Sequence, residues 1–161
     1  MDTLFIIILI GLAGGMAIGV QGPLSSMVTQ KLGPLESVFI IHIGGAIAAL
    51  IPMAFIGSRL GQWRNVPWYA LAAGALGLIV ITAMGYMIPR IGAAGALITL
   101  LAGQILVASL LDHFGLLGMT PRAVDLQRVI GFGVVMVGVW LTVRSSMTRK
   151  ATRNSASVIA A

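Results

Sequence analysis

Cysteine is absent from this 161-residue chain, which excludes disulfides, thiolate metal sites and cysteine nucleophiles. Charge is nearly as scarce. Asp, Glu, Lys and Arg make up 9% of the residues, where a soluble domain carries roughly 25%. None of the four occurs in 3–30, 37–58, 65–89 or 91–111. A helix needs roughly 20 mostly apolar residues to cross a hydrocarbon core of about 30 Å, so each gap can span a bilayer. With 58% hydrophobic residues and a mean hydropathy of +1.04, a soluble fold is excluded and a multi-pass membrane protein is expected. No Lys or Arg precedes the first apolar run, so the positive start of a signal peptide is missing and that run is expected to stay as a helix.

The expected fold class is an all-α membrane protein, because an open sheet would leave unpaired backbone groups in lipid. Five transmembrane helices are expected at about 3–30, 35–57, 67–88, 92–114 and 123–145, forming a domain over 1–146. Turn chemistry separates them: Lys31-Leu-Gly-Pro34, Gly57 to Pro67, Ile88-Pro-Arg-Ile-Gly92, and Gly115 to Pro121. Trp63, Trp68, Tyr69 and Trp140 fall near span ends, where amphipathic rings favour the interface. Residues 147–161 read as a basic, polar, disordered tail.

The net charge of +6 rests on ten Lys and Arg, four of which (Arg144, Arg149, Lys150, Arg153) cluster at the C-terminal end. Such a cluster suits an anionic lipid surface and not nucleic acid, so membrane lipid is an expected partner and nucleic acid is not. Orientation is nearly undetermined. Five spans place Arg59, Arg64, Arg122 and Arg128 on one side against Lys31, Arg90 and Arg144 on the other. The tail adds three cations to the second group, a mild preference for a cytoplasmic C-terminus that leaves insertion in both orientations open.

Most of the twenty-one glycines lie inside spans, where they allow close helix approach. Gly11, Gly15 and Gly19 form a ridge on the first helix; Gly45 with Ala49, Gly77 with Gly85, Gly95 with Thr99 and Gly103, and Gly131 with Gly138 form similar faces on the others. Pro23 lies deep in the first span, lacks an N–H for the Gly19 carbonyl, and predicts a kink or loosened turn. Such breaks can mark substrate sites in transporters or be structural only.

Polar groups within spans are the candidate functional residues. Gln21, Ser25 and Thr29 recur every four residues on one helix face, as helix-to-helix glue or as a cavity lining. His42, Tyr86, Gln104, Asp112 and Arg128 add polar groups from the other four helices, the layout of a solute site. His42 can take up a proton near neutral pH or serve as a neutral hydrogen-bonding group. Asp112 and Arg128 are expected to pair across a short connection, and Arg128 could instead face an anionic substrate. Catalysis and metal binding are poorly supported. There is no GxSxG elbow, adjacent Asp112 and His113 point about 100° apart on a helix, and neither His has a ligand partner three or four residues on. No cofactor is expected.

The run Gly103-Gln104-Ile-Leu-Val-Ala-Ser-Leu-Leu-Asp112-His113-Phe114-Gly115, followed by Arg128-Val-Ile-Gly131 and Gly138-Val-Trp-Leu141, resembles the YdcZ-type five-helix branch of the drug/metabolite transporter superfamily. Gln21, Lys31-Leu-Gly-Pro34 and Pro89-Arg-Ile-Gly-Ala93 fit the same pattern, so the likeness covers residues 3–145. It implies a small inner-membrane protein, found in such families as one five-helix unit, as paired chains or as an inverted fusion of two units, with two antiparallel units giving an inverted-repeat assembly of ten helices. Where the family often has Asn after the helix-one Gln, this chain has Ser25, and it lacks the helix-one carboxylate of similar four-helix cation exporters.

The leading expectation is a secondary transporter of a small metabolite, working by alternating access as an antiparallel homodimer or with a paired homologous chain. Gln21, Ser25, His42, Tyr86 and Gln104 would bind substrate, and Asp112 with Arg128 would form a gate or charge pair. The alternatives are a non-transporting structural or assembly subunit and a channel.

Overall fold

The computed structural model describes the backbone of residues 2–159 and the side chains of residues 3–148. The described backbone is helical, with no strand. Helix α1 is Asp2–Leu32 and α2 is Pro34–Ile56. A 3₁₀ turn, Leu60–Asn65, and the one-turn helix α3, Trp68–Leu71, lead into α4, Ala73–Phe114. A second 3₁₀ turn, Leu116–Gly118, precedes α5, Leu126–Ile159.

The third apolar segment, Trp68–Phe114, is 47 residues long. At about 1.5 Å per residue it would extend about 70 Å, more than twice a hydrocarbon core of about 30 Å. It is broken at Gly92, whose φ of 77° and ψ of 167° are not helical. Either side of Gly92 has enough apolar residues for one crossing, which makes five spans in all. Pro89 predicts a break in this region; the sharp change comes three residues later because glycine alone accepts positive φ freely.

One other expectation, the break at Pro23, meets a different outcome. Helix α1 runs unbroken through Pro23. The described backbone of α5 runs to Ile159, past the end of the apolar segment at Thr148. Ala, Arg, Lys and Met are good helix formers and extend a helix already nucleated in the span.

The chain divides into two compact units, Met1–Tyr86 and Met87–Ala161. In the first, α1 and α2 form a hairpin joined by a single residue. Gly33 has φ 95°, donates its N–H to the Thr29 carbonyl at 2.9 Å and accepts the Ser37 N–H at 3.2 Å. Pro34 starts α2, where its missing N–H costs nothing. This tight reversal lays Thr29 against Ser37. The first arm of α4 meets both helices at glycines: the Thr29 methyl occupies the space a Gly85 Cβ would take, and the His42 ring does the same at Gly77, 2.7 Å from that position. Gly11, Gly15 and Gly19 meet no side chain within 4 Å, so their ridge is not used among the described residues.

In the second unit, the second arm of α4 and α5 are joined by residues 115–125. Gly115 is left-handed, with φ 62°, and a Cβ there would lie 2.6 Å from Pro121 Cγ. Asp125 starts α5 by accepting the Arg128 N–H at 2.8 Å on its side chain, satisfying one of the donors that every helix start leaves open. The apolar windows of α1, α2 and α5 have none of their residues buried, as expected of surfaces that face lipid or another chain.

Candidate functional site

Two polar constellations are built within the units. In the first unit, Ser26 and Ser37 are fully buried and Ser25 is 3% exposed. Thr29 Oγ1 lies 2.9 Å from the Ser25 carbonyl oxygen and 2.8 Å from Ser37 Oγ. A carbonyl can only accept, so the single Thr29 hydroxyl proton goes to Ser25 and Ser37 donates to Thr29. Gln30 Nε2 donates to Ser26 Oγ at 3.0 Å and to its carbonyl at 3.2 Å. The face carrying Ser25 and Thr29 is therefore a hydrogen-bonded seam between α1 and α2, and Ser25 lies inside it. Gln21, on the same face one turn earlier, is exposed and makes no side-chain hydrogen bond among the described residues.

His42 is exposed, and its Nδ1 lies 2.8 Å from the Val38 carbonyl. That carbonyl requires the proton on Nδ1, which leaves Nε2 as the basic nitrogen, beside Gly77. Tyr86 is 60% exposed.

In the second unit, Arg128 Nη1 and Asp112 Oδ2 are 3.7 Å apart, with the side chains 36% and 34% exposed. The spacing predicts this pairing, and the hairpin delivers it. At that distance and exposure the pair is a solvent-screened charge contact and not a hydrogen bond. Sequence reasoning missed what surrounds it. The Asp112 carbonyl accepts the Arg122 N–H at 2.8 Å, His113 Nδ1 accepts the Val124 N–H at 3.2 Å, and the His113 ring meets Phe114 edge-on at 4.9 Å. Asp112, His113 and Gly115 thus latch the α4–α5 connection. An Asp directly before the apolar run of α5 was a readable helix-start signal. Gln104, about two turns before Asp112, is exposed and makes no side-chain hydrogen bond among the described residues.

Gln21, Ser25, His42 and Tyr86 thus fall in one unit, and Gln104, Asp112 and Arg128 in the other. Two of the grooves among the described residues lie elsewhere. One, about 570 Å³, is bordered by Met53, Arg59, Gln62, Trp63 and Asn65 around the first 3₁₀ turn. The other, about 670 Å³, runs along α5 beside the second arm of α4. None of the seven predicted residues lines either. No group of three potential metal ligands occurs among the described residues.

Residues 6–141 match the family described as "Putative inner membrane exporter, YdcZ". The chain is 24% identical over 139 residues to the inner membrane protein YdcZ of Escherichia coli strain K12, covering 84% of this chain and 93% of that protein. No solved structure matches it.

Proposed function

This chain belongs to the YdcZ family of inner-membrane transporters of the drug/metabolite type, and we propose that it exports a small metabolite by alternating access as one half of an antiparallel pair. One observation carries the reading. Gln21 and Gln104 are exposed, without side-chain hydrogen bonds among the described residues, within charge-free apolar segments. From the middles of 3–30 and 91–111, a rise of about 1.5 Å per residue puts Gln21 about 7 Å and Gln104 about 5 Å away, both at hydrocarbon depth. An unpaired amide in hydrocarbon costs about 2–7 kcal/mol. Polar surroundings that neither unit supplies by itself therefore face both, and a paired carrier with a water-filled cavity provides them at once. The near balance of loop charges supports opposite orientations in one population.

In this assembly Gln21, His42, Tyr86 and Gln104 contact the solute, Ser25 holds the α1–α2 seam beside Gln21, and Asp112 with Arg128 ties the end of α4 to α5 as a charge pair that can open. Two such units complete the inverted repeat common in secondary transporters. The satisfied seam of Ser25, Thr29 and Ser37 is the observation that favours a structural subunit instead.

Purified protein in liposomes separates the readings, with candidate solutes drawn from a thermal-shift screen. Saturable exchange supports the carrier. Ionic conductance would establish a channel, and neither activity would leave the subunit.

A further inference from the structure

Thr99, Met136, Val139, Trp140, Val143 and Arg144 border the groove of about 670 Å³ in the second unit. Its walls are almost wholly apolar in effect, because the Thr99 hydroxyl is already committed to the Gly95 carbonyl at 2.7 Å. Its methionines are adaptable lining for an irregular apolar guest. Charge enters at one end only. The Arg144 guanidinium stacks 5.1 Å from the Trp140 ring centroid, and no carboxylate among the described residues pairs with it. Within this unit the acids are Asp112 and Asp125, and both serve the opposite end of α5. Asp125 and Arg144 are nineteen residues apart on the chain, about 28 Å along a helix.

The groove's length limits what fits. On α5 the lining from Met136 to Val143 leads to Arg144, about 12 Å of rise, with Met147 and Thr148 one turn beyond, and on α4 Ile91 and Thr99 lie on either side of the break at Gly92. One leaflet contributes about 15 Å of hydrocarbon. The apolar part ahead of Arg144 thus fits within one leaflet, and the cation lies where the charge-free segment 129–143 ends. Arg149, Lys150 and Arg153 follow in the sequence, further cations on the C-terminal side of Arg144.

We propose that this groove holds an anionic phospholipid, with an acyl chain along Met136, Val139 and Val143 and its phosphate on Arg144. A guanidinium matches phosphate with paired, charge-assisted hydrogen bonds, and stacking on Trp140 pre-orients it. The lipid would fill the space between the second arm of α4 and α5, and would favour the orientation that puts the C-terminal end in the more anionic leaflet. This holds whether or not the chain transports.

Trp140 lines the groove and reports on its occupant. In a Trp63→Phe, Trp68→Phe protein it is the one remaining tryptophan. That protein is reconstituted in phosphatidylcholine vesicles with rising fractions of brominated phosphatidylglycerol, or of brominated phosphatidylcholine as the neutral control. Half-quenching is expected at about tenfold lower mole fraction of the anionic lipid, the factor one charge-assisted contact supplies. Arg144→Gln should bring the two curves together, Arg144→Lys should retain part of the preference, and Val143→Phe should weaken quenching by both lipids. Circular dichroism checks that each variant is folded. Equal quenching by the two lipids in the parent protein, or an unchanged preference in folded Arg144→Gln, overturns the proposal. Millimolar inorganic phosphate that abolishes the preference would make the site one for a soluble anion. Protection of Trp140 from both lipids would place a second copy of the chain in the groove. Either result also overturns the proposal.

Discussion

Replacing Thr29 with Val tests whether the α1–α2 seam is held by its hydroxyl chain. Valine keeps the methyl that fills the space over Gly85 and puts a second methyl in place of the hydroxyl. Two bonds go: the donation to the Ser25 carbonyl at 2.9 Å and the acceptance from Ser37 at 2.8 Å. The Ser25 carbonyl sits within α1 and keeps its helical partner, so that loss is small. Ser37 is fully buried, and its hydroxyl would be left as a donor facing a methyl. An orphaned buried group costs about 1–3 kcal/mol, so Thr29→Val should destabilise by about 2 kcal/mol. Ser37→Ala removes the orphan along with its bond and should cost about 1 kcal/mol, the scale of one interhelical hydrogen bond in a membrane protein. The double variant should then cost little more than Thr29→Val alone, or less. Reversible unfolding in mixed micelles, followed by circular dichroism, measures all three. Strict additivity, or a cost for Thr29→Val below that of Ser37→Ala, would refute the hydrogen-bond direction assigned to the seam.

Further outcomes follow from the same contacts. Gly77→Ala places a methyl against the His42 ring and should cost about 1–3 kcal/mol, as overpacking does; adding His42→Ala should recover most of it in the same assay. Gly115→Ala adds left-handed strain to a clash with Pro121, a ring that cannot turn aside, and should lower stability by about 2 kcal/mol or more. Asp112→Asn should cost at most about 1 kcal/mol, because the ion pair is solvent-screened and the Asp112 carbonyl still holds Arg122.

The spans were legible because bilayer thickness imposes a length that charge-free runs reveal directly. The break in the third segment was legible only roughly, since Pro89 signals an interruption while the residue that absorbs it is whichever glycine can take φ near 77°. Gly77 and Gly85 were read as small-residue packing positions; the particular knobs, His42 and Thr29, depend on how three helices register, which no local pattern encodes. Asp112 and Arg128 could be paired on paper because a short connection leaves few choices. The His113 to Val124 bond, eleven residues apart, depends on the turn at Gly115. The polar residues themselves stood out against an apolar background. Which of them share a cavity did not, since Gln21 and Gln104 belong to different units and their partners lie outside the described contacts.

The central claim is that Gln21 and Gln104 face water at membrane depth. The chain has no cysteine, so single-cysteine variants carry no background. Gln21→Cys and Gln104→Cys, reconstituted in liposomes, are treated with a membrane-impermeant maleimide, with Leu12→Cys as an exposed apolar control on α1. A thiol reacts as its thiolate, which forms in water and not in hydrocarbon. The account predicts labelling at 21 and 104 and none at 12. Folded protein that resists labelling at both glutamine positions would contradict it, leaving a dry helix seam in place of a transport cavity.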